Sequence, residues 1–214
     1  MSARRNALTV FLLVIVAASS FIAGGYVATG KWNPWGNKHY YEVLNANFEA
    51  KYCPVAQQCQ TLTSHNVLYD LGALWVQQVV NGENPTGCTP STTCGFKYIG
   101  LSAGSTAPAA GDAVTGSTNG DCGKPTDTEI TANGEARAIG VVTDISGASP
   151  KSSTVVKTFT DTTTSQAVAK SCLLNQSTAA NTNNVQLAAA TFTSITLQIG
   201  DTLQITWTIT WTWS

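Results

Sequence analysis

Gly100-Leu101-Ser102-Ala103-Gly104 fits the G-x-S-x-G pattern of a nucleophile elbow. In that arrangement a strand-to-helix turn exposes the serine, and a histidine later in the chain takes its proton. The two histidines here are His39 and His65, both before Ser102, and "STAPAAGD" is a poor start for a helix. The pentapeptide therefore reads as small residues in a loop, and no catalytic residue is assigned. Asp121, Asp127 and Glu129 lie with Asn119 in a Gly-rich stretch whose oxygens suit a hard cation such as calcium. Their spacing fits no cation-loop template, so they read as solvated carboxylates, and no metal or cofactor is assigned. Glu135 and Arg137, two positions apart, are expected to pair across a strand face.

Six cysteines stand at positions 53, 59, 88, 94, 122 and 172, with no C-x-x-C and no histidine at ligand spacing. That argues against zinc and for disulfides. The spacing suggests Cys53–Cys59 and Cys88–Cys94 as short loops, and Cys122–Cys172 as a tie between distant segments. Disulfides persist in oxidising compartments, so export is implied. Asn175-Gln176-Ser177 is an acceptor pattern for N-glycosylation, which makes Asn175 a candidate glycan site.

The N-terminus agrees with export. After Arg4 and Arg5, residues 7–28 carry no charge over 22 positions. As a helix they would span ~33 Å, enough for the ~30 Å hydrocarbon core. The arginines keep the N-terminus cytoplasmic and send the rest outside. The most apolar part, residues 8–18, is only as long as a signal-peptide core, so both a retained anchor and a cleaved signal fit. Trp32, Trp35, Tyr40 and Tyr41 follow in a spacer that suits either a headgroup belt or packing on the domain.

Beyond this the chain is expected to be mainly β: an antiparallel β-sandwich, jelly-roll or Ig-like, with one packed helix and a preceding transmembrane or signal helix. The divisions drawn are 1–30 for the anchor or signal, 31–63 for the aromatic spacer with its Cys53–Cys59 loop, and 64–214 for the sandwich. The helix is placed over 64–82, where Val67, Leu71, Leu74, Trp75 and Val79 recur at helical spacing. Gly200-Asp201 between two alternating runs predicts a tight hairpin. The last run, "DTLQITWTITWTW", puts Leu203, Ile205, Trp207, Ile209, Trp211 and Trp213 on one face and threonines on the other. Leu203 to Ile209 are expected inside the domain. Trp211 and Trp213 are expected near an edge that a neighbouring copy covers, with Trp207, Trp211 and Trp213 as the candidate assembly contacts.

Charged residues are 11% of the chain and the net charge is −1, so nucleic acid is not expected as a partner. "HNVLYDLGALWVQQVVNG", "FKYIGLSAGSTAPAAGDAV", "GEARAIGVVTDI", "TVVKTFTDTTTSQAVAKSCLLNQS" and "AATFTSITLQIGDTLQITWTIT" resemble, in sequence and order, small virion structural proteins of tailed phages and prophages. The resemblance covers about residues 64–210 and implies a β-sandwich assembly subunit without catalytic residues. The hydrophobic N-terminus and six cysteines depart from that pattern and point to an exported relative. A weaker likeness is to archaeal type IV pilins, whose processing site Arg5-Asn6-Ala7-Leu8 approximates. The function expected is a non-catalytic, exported subunit that forms homo-oligomers on a cell surface or in a virion. A membrane-anchored adhesin or carbohydrate-binding module and a pilin-like subunit polymerising through its N-terminal helix are the alternatives.

Overall fold

Strict alternation of apolar residues with threonine makes β11 (Thr202–Thr212), and a strand with one fully apolar face belongs where both of its edges are paired. The computed structural model places it so. It describes residues 26–27, 43–62, 64–70, 72–74, 76, 95–112, 122–124, 126–145, 151–178 and 184–212. β11 pairs along its whole length with β2 (Val43–Cys53) on one side and with β8 (Lys151–Thr160) on the other.

Two antiparallel sheets result. In the first, β1 (Tyr26–Val27) and β3 (Gln60–Leu62) share the outer edge of β2, followed by β11, β8 and β7 (Val141–Ile145). The second runs β4 (Ser64–Leu68), β10 (Gln186–Leu197), β9 (Gln166–Leu174), β5 (Tyr98–Ser102) and β6 (Ala138–Ile139). The chain crosses between the sheets after β3, at Gly140, after β8 and between β10 and β11. Gly140 is needed there, because a Cβ at that position would lie 2.6 Å from Val155 Cγ1.

The core lies between the sheets. Trp207 is 0% exposed and stands in register with Phe48 and Val155. Its ring meets Phe48 edge-on at 4.9 Å, and Phe48 stacks on Phe192 of the opposite sheet at 5.7 Å. The Trp207 Nε1–H donates to Ser171 Oγ at 3.4 Å, which satisfies the only polar atom of the ring. Small Ala46 and Ala50 pair with Ile209 and Ile205 and leave room for these rings. Behind the second sheet lies a smaller cluster of Tyr69, Cys122, Cys172, Leu174 and Ala189.

Several expectations are corrected. The helix placed at 64–82 begins late: Ser64–Leu68 is strand β4, paired to β10, and helical backbone is found at 70, 72–74 and 76. Val67 lies in that strand; Leu71, Trp75 and residues 77–82 lie outside the described residues. Gly200-Asp201 joins strands of different sheets, so the turn is an arch and no hairpin forms. The division at 63/64 is no domain boundary, since β2 and β3 belong to the first sheet. Tyr26–Val27 pair with Leu44 and Val43 as β1. The rest of the anchor and the Trp32, Trp35, Tyr40 and Tyr41 spacer lie outside the described residues. Among the described residues no helix is long and apolar enough to cross a membrane.

Truncation at the wedge should show the difference between centre and end of β11. Trp207→Ala is expected to cost about 3–5 kcal/mol in urea unfolding, and Trp211→Ala, at a partly buried position, clearly less.

Candidate functional site

A polar layer covers the outer face of the second sheet, built by the alternation of β5 and β9. Ser102, Gly100 and Tyr98 pair with Lys170, Cys172 and Leu174, so all six point away from the main core. The segment 122–130 lies over them. A disulfide joins Cys122 to Cys172, and the Lys170 ammonium contacts Asp127 Oδ2, with the lysine 0% and the aspartate 9% exposed. The Tyr69 hydroxyl donates to the Gly123 carbonyl, and the Gly123 N–H to Gln186 Oε1 at 2.9 Å. Burial, reinforced by Asp112 and Asp127, pushes the Tyr69 hydroxyl well above its ordinary pKa.

Ser102 is 1% exposed, and its Oγ accepts the Gly104 N–H at 3.1 Å. A buried hydroxyl engaged in a turn is the opposite of an exposed elbow serine. Lys170 stands opposite it in register, but its charge is given to Asp127. Here the chemistry is neutralisation of a buried cation; no exposed nucleophile is presented.

The expected Glu135–Arg137 pair does not form. The Arg137 Nε–H donates to Glu129 Oε1 at 2.8 Å and its Nη2 contacts Glu129 Oε2. Its Nη1 reaches the carbonyls of Gln176 and Thr178 and Asn184 Oδ1 at 3.0–3.2 Å. Burial pushes the Glu129 carboxyl above the usual range, and the Arg137 contacts oppose that. Glu129 and Asp127 are therefore partners of Arg137 and Lys170, which removes them as solvated loop carboxylates; Asp121 lies outside the described residues. Glu135 is turned the other way by Asn133 (φ 61°) and Gly134 (φ 90°). It is 0% exposed, both carboxylate oxygens lack a hydrogen bond, and burial with nearby Asp161 pushes it up to about 7.

Asp201 organises the arch. Its Oδ2 accepts from the Tyr52 hydroxyl at 2.7 Å and the Gln198 N–H at 2.9 Å, and its Oδ1 from the Val55 N–H at 2.8 Å. The loop held this way is the one that the Cys53–Cys59 disulfide closes. Burial opposes ionisation of Asp201, but the three donors outweigh it and hold the carboxyl below its usual range. Burial and the Asp201 bond push Tyr52 up to about 12. In the sequence Asp201 is marked only by its place after Gly200 in a turn, where a short carboxylate can accept from nearby backbone N–H groups.

The other expected sites separate. Cys88 and Cys94 lie outside the described residues, as does Trp213. The two disulfides among the described residues are of the kind that persists in an oxidising compartment. Asn175 is 0% exposed and its Oδ1 accepts the Val185 N–H at 2.7 Å, so it is a structural amide with no room for a glycan on the folded domain. Trp207 is enclosed by its own chain, and Trp211 is partly buried against the core. Large apolar side chains are exposed in two groups and at Leu74: Ile139, Val141 and Val142 are 55%, 71% and 47% exposed along β6 and β7, the same-side edges of the two sheets, and Val55 and Ile199 are 58% and 62% exposed about the Gly200-Asp201 arch.

No protein-family model matches the chain, and neither a curated protein nor a solved structure matches it.

Two substitutions probe these clusters. Lys170→Met leaves the Asp127 charge buried without its partner and is expected to cost about 3–5 kcal/mol in urea unfolding, most of it recovered by adding Asp127→Leu. For Asp201 the folded pKa is lowered, so its stabilisation is present above the unfolded value near 3.9 and is lost as pH falls through the folded one. Asp201→Asn should lower the neutral-pH melting temperature and flatten that acid loss, read by thermal unfolding at stepped pH.

Proposed function

We propose that the chain is a non-catalytic structural subunit, exported and self-assembling on a cell surface or in a virion, with β6 and β7 as the contact edge. The observation that carries this reading is the apolar edge itself. Among the described residues β7 pairs only with β8, and β6 only with β5. An edge strand offers unpaired N–H and C=O groups to another strand, and proteins that stay monomeric blunt such edges with lysine, proline or a covering loop. Here the edge carries Ile139, Val141 and Val142, with Asp144 as the one charged residue of β7. A copy adding its own strand would complete the ladder and cover these side chains.

Three further observations support the reading. The low charge content keeps repulsion between packed copies small. Two disulfides fit an extracellular or virion setting. The facing sheets, with the chain passing repeatedly from one to the other, fit a jelly-roll or Ig-like sandwich, a scaffold common among assembly subunits. The ordered likeness to phage virion proteins points the same way. The binding-module alternative rests on aromatic rings open to a sugar, whereas Tyr69, Phe159, Phe192 and Trp207 are buried and Phe48, Tyr52, Phe96, Tyr98 and Trp211 are partly buried. Polymerisation through the N-terminal helix concerns residues outside those described.

Sedimentation and negative-stain microscopy of the oxidised protein over a rising concentration series test the reading. Ordered oligomers are expected for the native chain, and dispersed monomers for Val141→Lys, which places a charge on the edge without touching the core. Native protein that stays monomeric throughout, or a Val141→Lys variant that assembles as well as the native one, would defeat the edge contact.

A further inference from the structure

We propose that Glu135 and Asp161 form a binding site for a hard divalent cation of the calcium type. The site is built by two segments far apart in sequence. Glu135 comes from the turn at 131–136, whose left-handed pair Asn133 and Gly134 reverses the chain, and Asp161 directly follows β8. The turn is docked on the end of β8: the Thr162 N–H donates to the Asn133 carbonyl at 2.9 Å, and the Thr163 hydroxyl to Asn133 Oδ1 at 2.5 Å. The approach is so close that a Cβ on Gly134 would lie 2.0 Å from the Thr160 carbonyl oxygen. Glu135 is thereby carried to 0% exposure beside Asp161 at 1%.

The oxygens gathered there are unspent. Glu135 Oε1, Glu135 Oε2 and Asp161 Oδ2 have no hydrogen-bond donor, while Asp161 Oδ1 takes the Thr163 N–H at 3.1 Å. Two buried carboxylates with a single backbone donor between them repel one another and lose most of their hydration, which costs several kcal/mol unless positive charge joins them. No ion pair formed by the described residues includes either group: Lys124, Arg137 and Lys170 are bound to Asp112, Glu129 and Asp127. The raised titration of Glu135 has the same origin. Oxygen donors alone, with no sulfur or imidazole among them, select a hard cation over zinc. Two free oxygens on one carboxylate suit the bidentate contact that calcium tolerates and magnesium's stricter octahedron resists. A cation here would tie the turn at 131–136 to the β8–β9 turn, four residues ahead of Ile139.

Thermal unfolding of the full chain, first stripped with EDTA and then titrated with calcium chloride, tests the site, with calorimetric titration of the native protein as a direct measure of binding. Saturable binding in about the 0.1–1 mM range, usual for extracellular calcium modules, is expected. It should come with a rise of several degrees in the melting temperature that Glu135→Gln and Asp161→Asn both abolish. Melting and heat traces of the native chain that do not respond to calcium would overturn the site. So would an equal calcium response in both variants, or a native chain whose melting follows pH alone, since Glu135 would then be neutralised by a proton.

Discussion

The aromatic wedge between the sheets is the contact on which the rest of the fold depends. Trp207, Phe48 and Phe192 meet from β11, β2 and β10, so a single cluster joins the two central strands of one sheet to a central strand of the other. Burying Trp207 alone removes ~150–250 Å² from water, worth roughly 4–6 kcal/mol at ~25 cal/mol per Å². Ser171 supplies the acceptor that lets an indole N–H be buried at that depth. With the wedge in place, the registers of β2, β8, β9 and β10 follow, because a slip of one residue would turn every apolar side chain of a strand outward.

Polar groups then mark where the chain leaves the sheets. Lys170 with Asp127 and Arg137 with Glu129 hold the segment that covers the second sheet, and Asp201 gathers three donors at the arch. The disulfides add to the same places. On a chain-entropy account, the Cys122–Cys172 loop of separation 50 is worth about 4 kcal/mol and the Cys53–Cys59 loop of separation 6 about 2 kcal/mol. The larger tie therefore serves the layer that lacks a sheet of its own to bury against. Glu135 and Asp161 are an exception to this pattern of paired buried charge, and the β6–β7 edge is one exception, with Val55, Leu74 and Ile199, to the burial of large apolar groups.

Glu135 and the β6–β7 edge lie close along the chain. Glu135 ends the turn from which β6 and then β7 depart, so whatever charge settles between Glu135 and Asp161 also settles the backbone that leads into the exposed edge. Glu135 and the exposed edge belong to one stretch of chain, residues 131–145, while Asp161 comes from the end of β8; the serine of the G-x-S-x-G pattern is buried and engaged by the Gly104 N–H.

What the sequence determined by itself was local. Two-residue alternation made β11 and placed Leu203, Ile205, Trp207 and Ile209 in the core, because side-chain direction on a strand depends only on parity. Spacing singled out Cys53–Cys59, since so short a loop offers few other partners. The tertiary structure decided everything that depends on who stands next to whom. It made β11 a central strand, turned Gly200-Asp201 into an arch between sheets, recruited β2 from an apparent spacer, and gave Arg137 to Glu129. It buried the amide of Asn175 and left Glu135 without a donor. Pairing across a sheet and closure of a core join residues a hundred positions or more apart, such as Tyr52 and Asp201. Parity, propensity and short spacing carry no information at that range.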